Sequence, residues 1–221
     1  MAVIAARAGE IVEGLREEIR RIERRAPTRA CFASSGRAEV DALLPGGGLP
    51  RGALTELSGG RASGKTGLAL DAIVSAMGEE GLAAFVDGRG ELYPPAAAAL
   101  GIDLDRLLVV RPPAHDRGAR AEGLIQALWA AEALLACGAF EAVAVDVPAE
   151  GARAHARLDV MLRRLRAAAE KGGAVGVWLG SPDGVRVPAA VRLELAASPS
   201  GLQIRRVFAR ETQETWGRAR S

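Results

Sequence analysis

Eight consecutive residues, Gly59-Gly60-Arg61-Ala62-Ser63-Gly64-Lys65-Thr66, constrain this chain more than any other stretch. They follow an apolar run, Ala53–Leu57, and precede a helical pattern, Thr66–Met77, so a strand feeds a glycine-rich turn that opens a helix. The spacing G-x-x-x-x-G-K-[ST] lets backbone N–H groups converge on phosphate oxygens at a helix N-terminus. In such a loop Gly59, Gly60, Ser63 and Gly64 shape the cradle, Lys65 reaches the β and γ phosphates, and the Thr66 hydroxyl ligates magnesium. An inherited loop that no longer holds nucleotide is the competing reading.

The pattern continues as an alternation. Further strands are expected at Leu82–Asp87, Leu107–Val110, Ala142–Asp146, Ala174–Leu179, Val191–Ala196 and Leu202–Phe208. Helices are expected at Ala119–Cys137 and His155–Lys171, with apolar stripes Leu124, Leu128, Ala131, Leu135 and Leu158, Met161, Leu162, Leu165. Strands alternating with helices predict an α/β fold, a mostly parallel twisted sheet flanked by helices. The last two strands have no helix between them and read as an antiparallel extension at one edge. Asp146, closing an apolar strand, is a candidate to hold magnesium through water beside the loop; a solvated turn residue is the ordinary alternative.

Composition narrows the partners. With 49% hydrophobic and 25% charged residues the chain can bury a core. A formal charge of +2 gives no bulk attraction to nucleic acid or anionic lipid. No window reaches the roughly 18 uncharged apolar residues of a membrane span, and Glu10, Glu13, Glu17 and Glu18 are unlike a secretory signal, so a soluble cytoplasmic protein without a membrane partner is expected. Cys31, Cys137, His115 and His155 are too few and too scattered for a zinc site or a disulfide framework, and the two thiols are expected to be buried.

The ends read differently from the middle. Ile11, Leu15, Ile19 and Ile22 recur at helical spacing before Ala26-Pro27, which gives an amphipathic helix and linker over residues 1–36, packed on its own core or used against a partner. A core over 37–208 follows, with Pro45–Gly52 as a tight, extended loop. Residues 209–221 form a polar, flexible tail in which Trp216, Arg218 and Arg220 are interaction candidates; a frayed terminus is the alternative.

Several of these segments together resemble bacterial RecA recombinases: Gly48–Gly52, Ala53–Gly59, Ser63–Thr66, Ala84–Asp87 and Leu100–Leu108, in order. The resemblance implies a RecA-like P-loop NTPase core from about Leu15 to about Ala197, binding ATP and magnesium. It also implies a catalytic glutamate at the position of Arg89 and an adenine-stacking tyrosine at the position of Ala96; neither is present. Glu91, two residues on, is a substitute base only if the loop moves its carboxylate by several ångströms. The two DNA-binding loops of the family correspond to Val147–Gly173, largely occupied by a helix, and to the short Ser181–Ala190, so direct DNA binding is expected to be weak or absent.

This combination is similar to the ImuA family of short, diverged RecA relatives. That resemblance implies an accessory role in DNA-damage-induced translesion synthesis (SOS mutagenesis), beside RecA, an ImuB-type polymerase relative and, indirectly, an error-prone C-family DNA polymerase, with weak or no ATP hydrolysis. A DNA-stimulated RecA-superfamily ATPase that remodels RecA filaments is the alternative.

Overall fold

The computed structural model describes residues 31–112, 120–148, 158–199 and 201–209. The helix expected around Ile11, Leu15, Ile19 and Ile22, the tail with Trp216, Arg218 and Arg220, and both histidines lie outside the described residues.

Two short strands come first, β1 (Phe32–Ala33) and β2 (Leu49–Pro50), with a one-turn helix α1 (Ala38–Asp41) between them. The main elements are β3 (Ala53–Gly59), α2 (Lys65–Met77), β4 (Leu82–Asp87), α3 (Pro94–Ala99), β5 (Leu107–Val110), α4 (Arg120–Ala136), β6 (Phe140–Asp146), α5 (Leu158–Gly172), β7 (Val175–Gly180), β8 (Val191–Ser198) and β9 (Gly201–Ala209). Seven of the strands form one sheet in the order β5-β4-β6-β7-β3-β8-β9. Every neighbouring pair is parallel except β8 with β9, the antiparallel extension at the edge.

Burial on both faces explains why the central strands read as continuous apolar runs. All seven residues of β3 and all six of β7 are buried. Alternate residues serve opposite layers. Leu57, Phe85, Ala144, Val177 and Leu193 pack with Leu68, Ala69, Ala72 and Ile73 of α2. Leu54, Val143, Val145 and Trp178 pack with Leu128, Leu135, Leu162 and Leu165 of α4 and α5. The predicted stripes therefore face the sheet, with Met161 partly buried at the margin.

Three details differ from expectation. Pro45–Gly52 is not simply extended: Pro45–Gly47 forms a 3-10 turn in which Gly46 (φ 78°) and Gly47 (φ 72°) adopt left-handed conformations, and β2 then pairs antiparallel with β1. Helix α3 starts at the Pro94-Pro95 pair, where a fixed φ favours a first turn; its alanine run offers no periodicity to read. Both cysteines are exposed rather than buried. Cys31 lies beside the short β1, and Cys137 follows the last residue of α4, off the Leu124–Leu135 stripe, with Sγ donating to Leu134 O at 3.2 Å. Among the described residues no helix is long and apolar enough to cross a membrane.

Candidate functional site

Parallel strands end on a common edge, and the chain places its unusual residues there. β3 ends at Gly59, β4 at Asp87, β6 at Asp146 and β7 at Gly180, with Asp87 opposite Asp146 and Ser58 opposite Gly180 in register. The crevice outside the carboxyl ends of such strands is where open α/β sheets bind ligands.

The loop leaving β3 has little steric freedom. A Cβ on Gly59 would lie 2.5 Å from Leu195 O, so only glycine fits beside β8. Gly64 sits at φ 83°, the left-handed turn from which α2 begins, and Ala62 (φ 55°) is the one non-glycine residue of left-handed φ among the described residues. The Lys65 ammonium donates to Gly60 O at 3.2 Å and to Gly59 O, arching back over the loop. The Ser63 hydroxyl is buried and has no hydrogen-bond partner among the described residues. Backbone N–H groups in this arrangement suit phosphate oxygens, and a buried hydroxyl needing a partner fits the same ligand.

A cleft of about 430 Å³ over the loop gathers the expected residues: Gly59, Gly60, Ser63, Gly64, Lys65 and Thr66, together with Glu91 and Asp146. It also holds Arg89. Arg89 Nε lies 2.9 Å from Asp146 Oδ1, and Arg89 Nη2 donates to Val147 O at 3.3 Å. Burial raises the Asp146 carboxyl above its ordinary value; the charge and hydrogen bond of Arg89 oppose that rise, and Glu91 and Asp87 add to it.

The neighbouring carboxylate is engaged in the same way. Asp87, 1% exposed, accepts from Glu91 N at 3.0 Å, from Leu92 N at 3.2 Å and from Arg111 Nε at 2.8 Å. Arg111 Nη2 also donates to Leu92 O at 2.9 Å, so this arginine ties the end of β4 to the loop that follows. Arg111 and Asp87 were not legible as a pair in the sequence; the available signal was an arginine immediately after an apolar strand.

These contacts decide how well magnesium fits. The expected ligand Asp146 already carries a guanidinium at hydrogen-bond distance, and a divalent cation beside it would meet that fixed positive charge. Phosphate fits the loop; magnesium on Asp146 does not fit while Arg89 holds it.

Of the remaining expectations, Glu91 is exposed at the rim of the cleft, anchored to Asp87 through its backbone. Ala96 is exposed on α3. Residues 181–190 run as a closely packed segment: Val185, Val187 and Ala189 are buried in the α4–α5 layer, and Ala190 N donates to Leu54 O at 2.8 Å.

The RecA N-terminal domain family matches residues 15–162, more than half of the chain. The chain belongs to the RecA family. It is 37% identical over 128 residues to protein RecA of Streptococcus pyogenes serotype M49 (strain NZ131), covering 58% of this chain and 32% of that protein. To protein RecA of Streptococcus pneumoniae (strain Hungary19A-6) it is 38% identical over 128 residues, covering 58% of this chain and 31% of that protein. The match thus spans about a third of these curated relatives. Within the RecA family frame, the residue at the position expected to hold a glutamate is the arginine that neutralises Asp146.

Proposed function

We propose that this chain is a noncatalytic accessory protein of DNA-damage-induced translesion synthesis, of the ImuA type. It bridges or modulates RecA and an ImuB-type polymerase relative, and through that relative an error-prone C-family DNA polymerase, by protein–protein contacts. The P-loop binds ATP weakly and hydrolyses it slowly or not at all.

The observation that carries this reading is the Arg89–Asp146 pair. Water attack on a phosphoryl group needs a residue that orients the water or accepts its proton, and a guanidinium, which stays protonated in proteins, accepts none. Here the arginine also occupies the carboxylate that the chemistry would recruit for the metal. The packed segment 181–190, with one acidic and one basic side chain, supports weak direct contact with DNA.

Steady-state ATP hydrolysis with magnesium, with and without single-stranded DNA, tests the reading, with Lys65→Ala as the contamination control and pull-downs of RecA and the ImuB-type relative alongside. No turnover above the Lys65→Ala background, with both partners captured, is expected. Turnover that DNA stimulates and Lys65→Ala abolishes would overturn it in favour of a filament-remodelling ATPase. That second reading draws on Glu91, which lines the same cleft, and it requires Glu91→Gln to remove the turnover.

A further inference from the structure

The two edges of the sheet differ. β5, at one edge, spans four residues; β9, at the other, spans nine and pairs with β8 on one side, with no strand against its outer side among the described residues. Such an edge offers a row of backbone N–H and C=O groups to an extended chain. The strand is anchored, because Leu202 and Ile204 pack on the α2 layer. On the opposite face Gln203 and Arg205 line, with Glu194 and Arg186, a cavity of about 750 Å³ that leaves space for side chains beside the hairpin.

The charges select the occupant. Arg205 and Arg206 are successive, exposed residues in the middle of β9 and so point to opposite faces. Arg205 meets Glu194 through Nη2 alone, in an exposed pair, and its Nε and Nη1 have no partner among the described residues. Arg206 Nη1 donates to Leu43 O at 2.6 Å, and neither Arg206 nor the exposed Arg186 has an ion-pair partner among those residues. A second copy fits this edge badly: antiparallel pairing over the whole strand sets Gly201 against Ala209, and therefore Arg205 against its own copy, like charges directly opposite. A strand carrying carboxylates meets the same arginines favourably, and the exposed Val207 and Phe208 offer it apolar cross-strand partners.

We propose that β9 is a docking strand, extended at its outer edge by an acidic segment of a partner protein; this rests on the reading of the chain as one that acts through protein contacts. Backbone hydrogen bonds supply the affinity, and carboxylates beside Arg205 and Arg206 the selectivity.

The probe is a capped peptide of the length of β9 that alternates glutamate with valine and threonine, compared with its lysine counterpart, each titrated against the full chain by fluorescence anisotropy. The glutamate peptide is expected to bind about tenfold more tightly or better, and to slow hydrogen exchange of the amides in residues 201–209. In the double variant Arg205→Glu with Arg206→Glu the preference should invert, and the gain for the lysine peptide is a readout that misfolding does not produce. The wild-type comparison of the two peptides needs no variant and stands if the double variant fails to fold.

Binding of neither peptide, equal binding of both, or protection outside β9 would overturn the proposal. Self-association that protects β9 would overturn it in favour of a second copy, and binding that appears only after residues 210–221 are removed would make that tail the occupant instead. Displacement of the peptide by single-stranded oligothymidylate at lower concentration would turn the edge into a nucleic-acid surface. Failed pull-downs with the glutamate peptide bound would sink the bridging role alone; captured partners with no peptide binding would sink the edge assignment alone.

Discussion

Glu56 and Arg192 stand opposite each other in register on β3 and β8, with Arg192 Nε 2.8 Å from Glu56 Oε2. Glu56 is 2% exposed and shares its sheet face with Leu54 and Trp178, beneath the layer that includes Val185, Val187 and Ala189. A carboxylate in such a place is tolerable only with its partner.

Glu56→Ala, which strands Arg192 without its counter-charge, is expected to cost about 3–5 kcal/mol, read as a lowered urea midpoint. The double variant Glu56→Met with Arg192→Met should be far less destabilised, within about 1–2 kcal/mol of the wild type, since no charge remains buried. Equal losses in the single and double variants would show that packing, not charge, dominates this position.

The raised Asp146 carboxyl makes a pH prediction whose sign follows from linkage. Burial, the leading cause, lifts the folded-state value above the unfolded one despite Arg89, so the native state binds a proton more tightly. Stability owed to this group therefore rises as the pH falls through the raised value and stops changing below the unfolded one. Measured as unfolding free energy, the difference between wild type and Asp146→Asn should move in favour of the wild type on acidification; the opposite slope would contradict the assignment. Arg89→Met removes the lowering influence, so carbon NMR of the Asp146 carboxyl should report a still higher value.

Two adjacent residues of α4 should behave in opposite ways. Leu128 is 1% exposed in the layer between α4, α5 and the sheet, so Leu128→Ala is expected to cost about 2–5 kcal/mol. Trp129, 66% exposed, should tolerate Trp129→Ala with a change within about 0.5 kcal/mol in denaturant unfolding.

The loop is equally specific about glycine. Gly64→Ala forces a side chain into φ 83° and, 3.0 Å from Leu202 Cδ1, is expected to cost about 1–3 kcal/mol. It should also weaken ATP binding by displacing the start of α2. Thermal unfolding and calorimetric titration check the two effects, and an unchanged melting temperature would argue against the strain.

Much of the architecture was legible because its signals are local. The β4 and β5 bounds coincide with the apolar runs at Leu82–Asp87 and Leu107–Val110, and the stripe Leu124, Leu128, Ala131, Leu135 is buried in full. The antiparallel edge pair followed from the missing helix between β8 and β9. Pattern fails where it has no period: α3 is a proline pair and alanines, β1 and β2 span two residues each, and Cys31 and Cys137 sit at element ends, where residue type says little about exposure.

By itself the sequence determined a strand, a phosphate-binding turn and a helix in that order, and a parallel sheet to carry them, because spacing within a dozen residues dictates those shapes. Only the tertiary structure decided which charges meet. Arg89 and Asp146 are 57 residues apart, Arg111 and Asp87 24, and Arg192 and Glu56 136; each pair forms when the sheet brings distant strands or their ends side by side. Such encounters depend on strand order, which no local pattern encodes, and they turn the expected metal ligand of the site into the partner of an arginine.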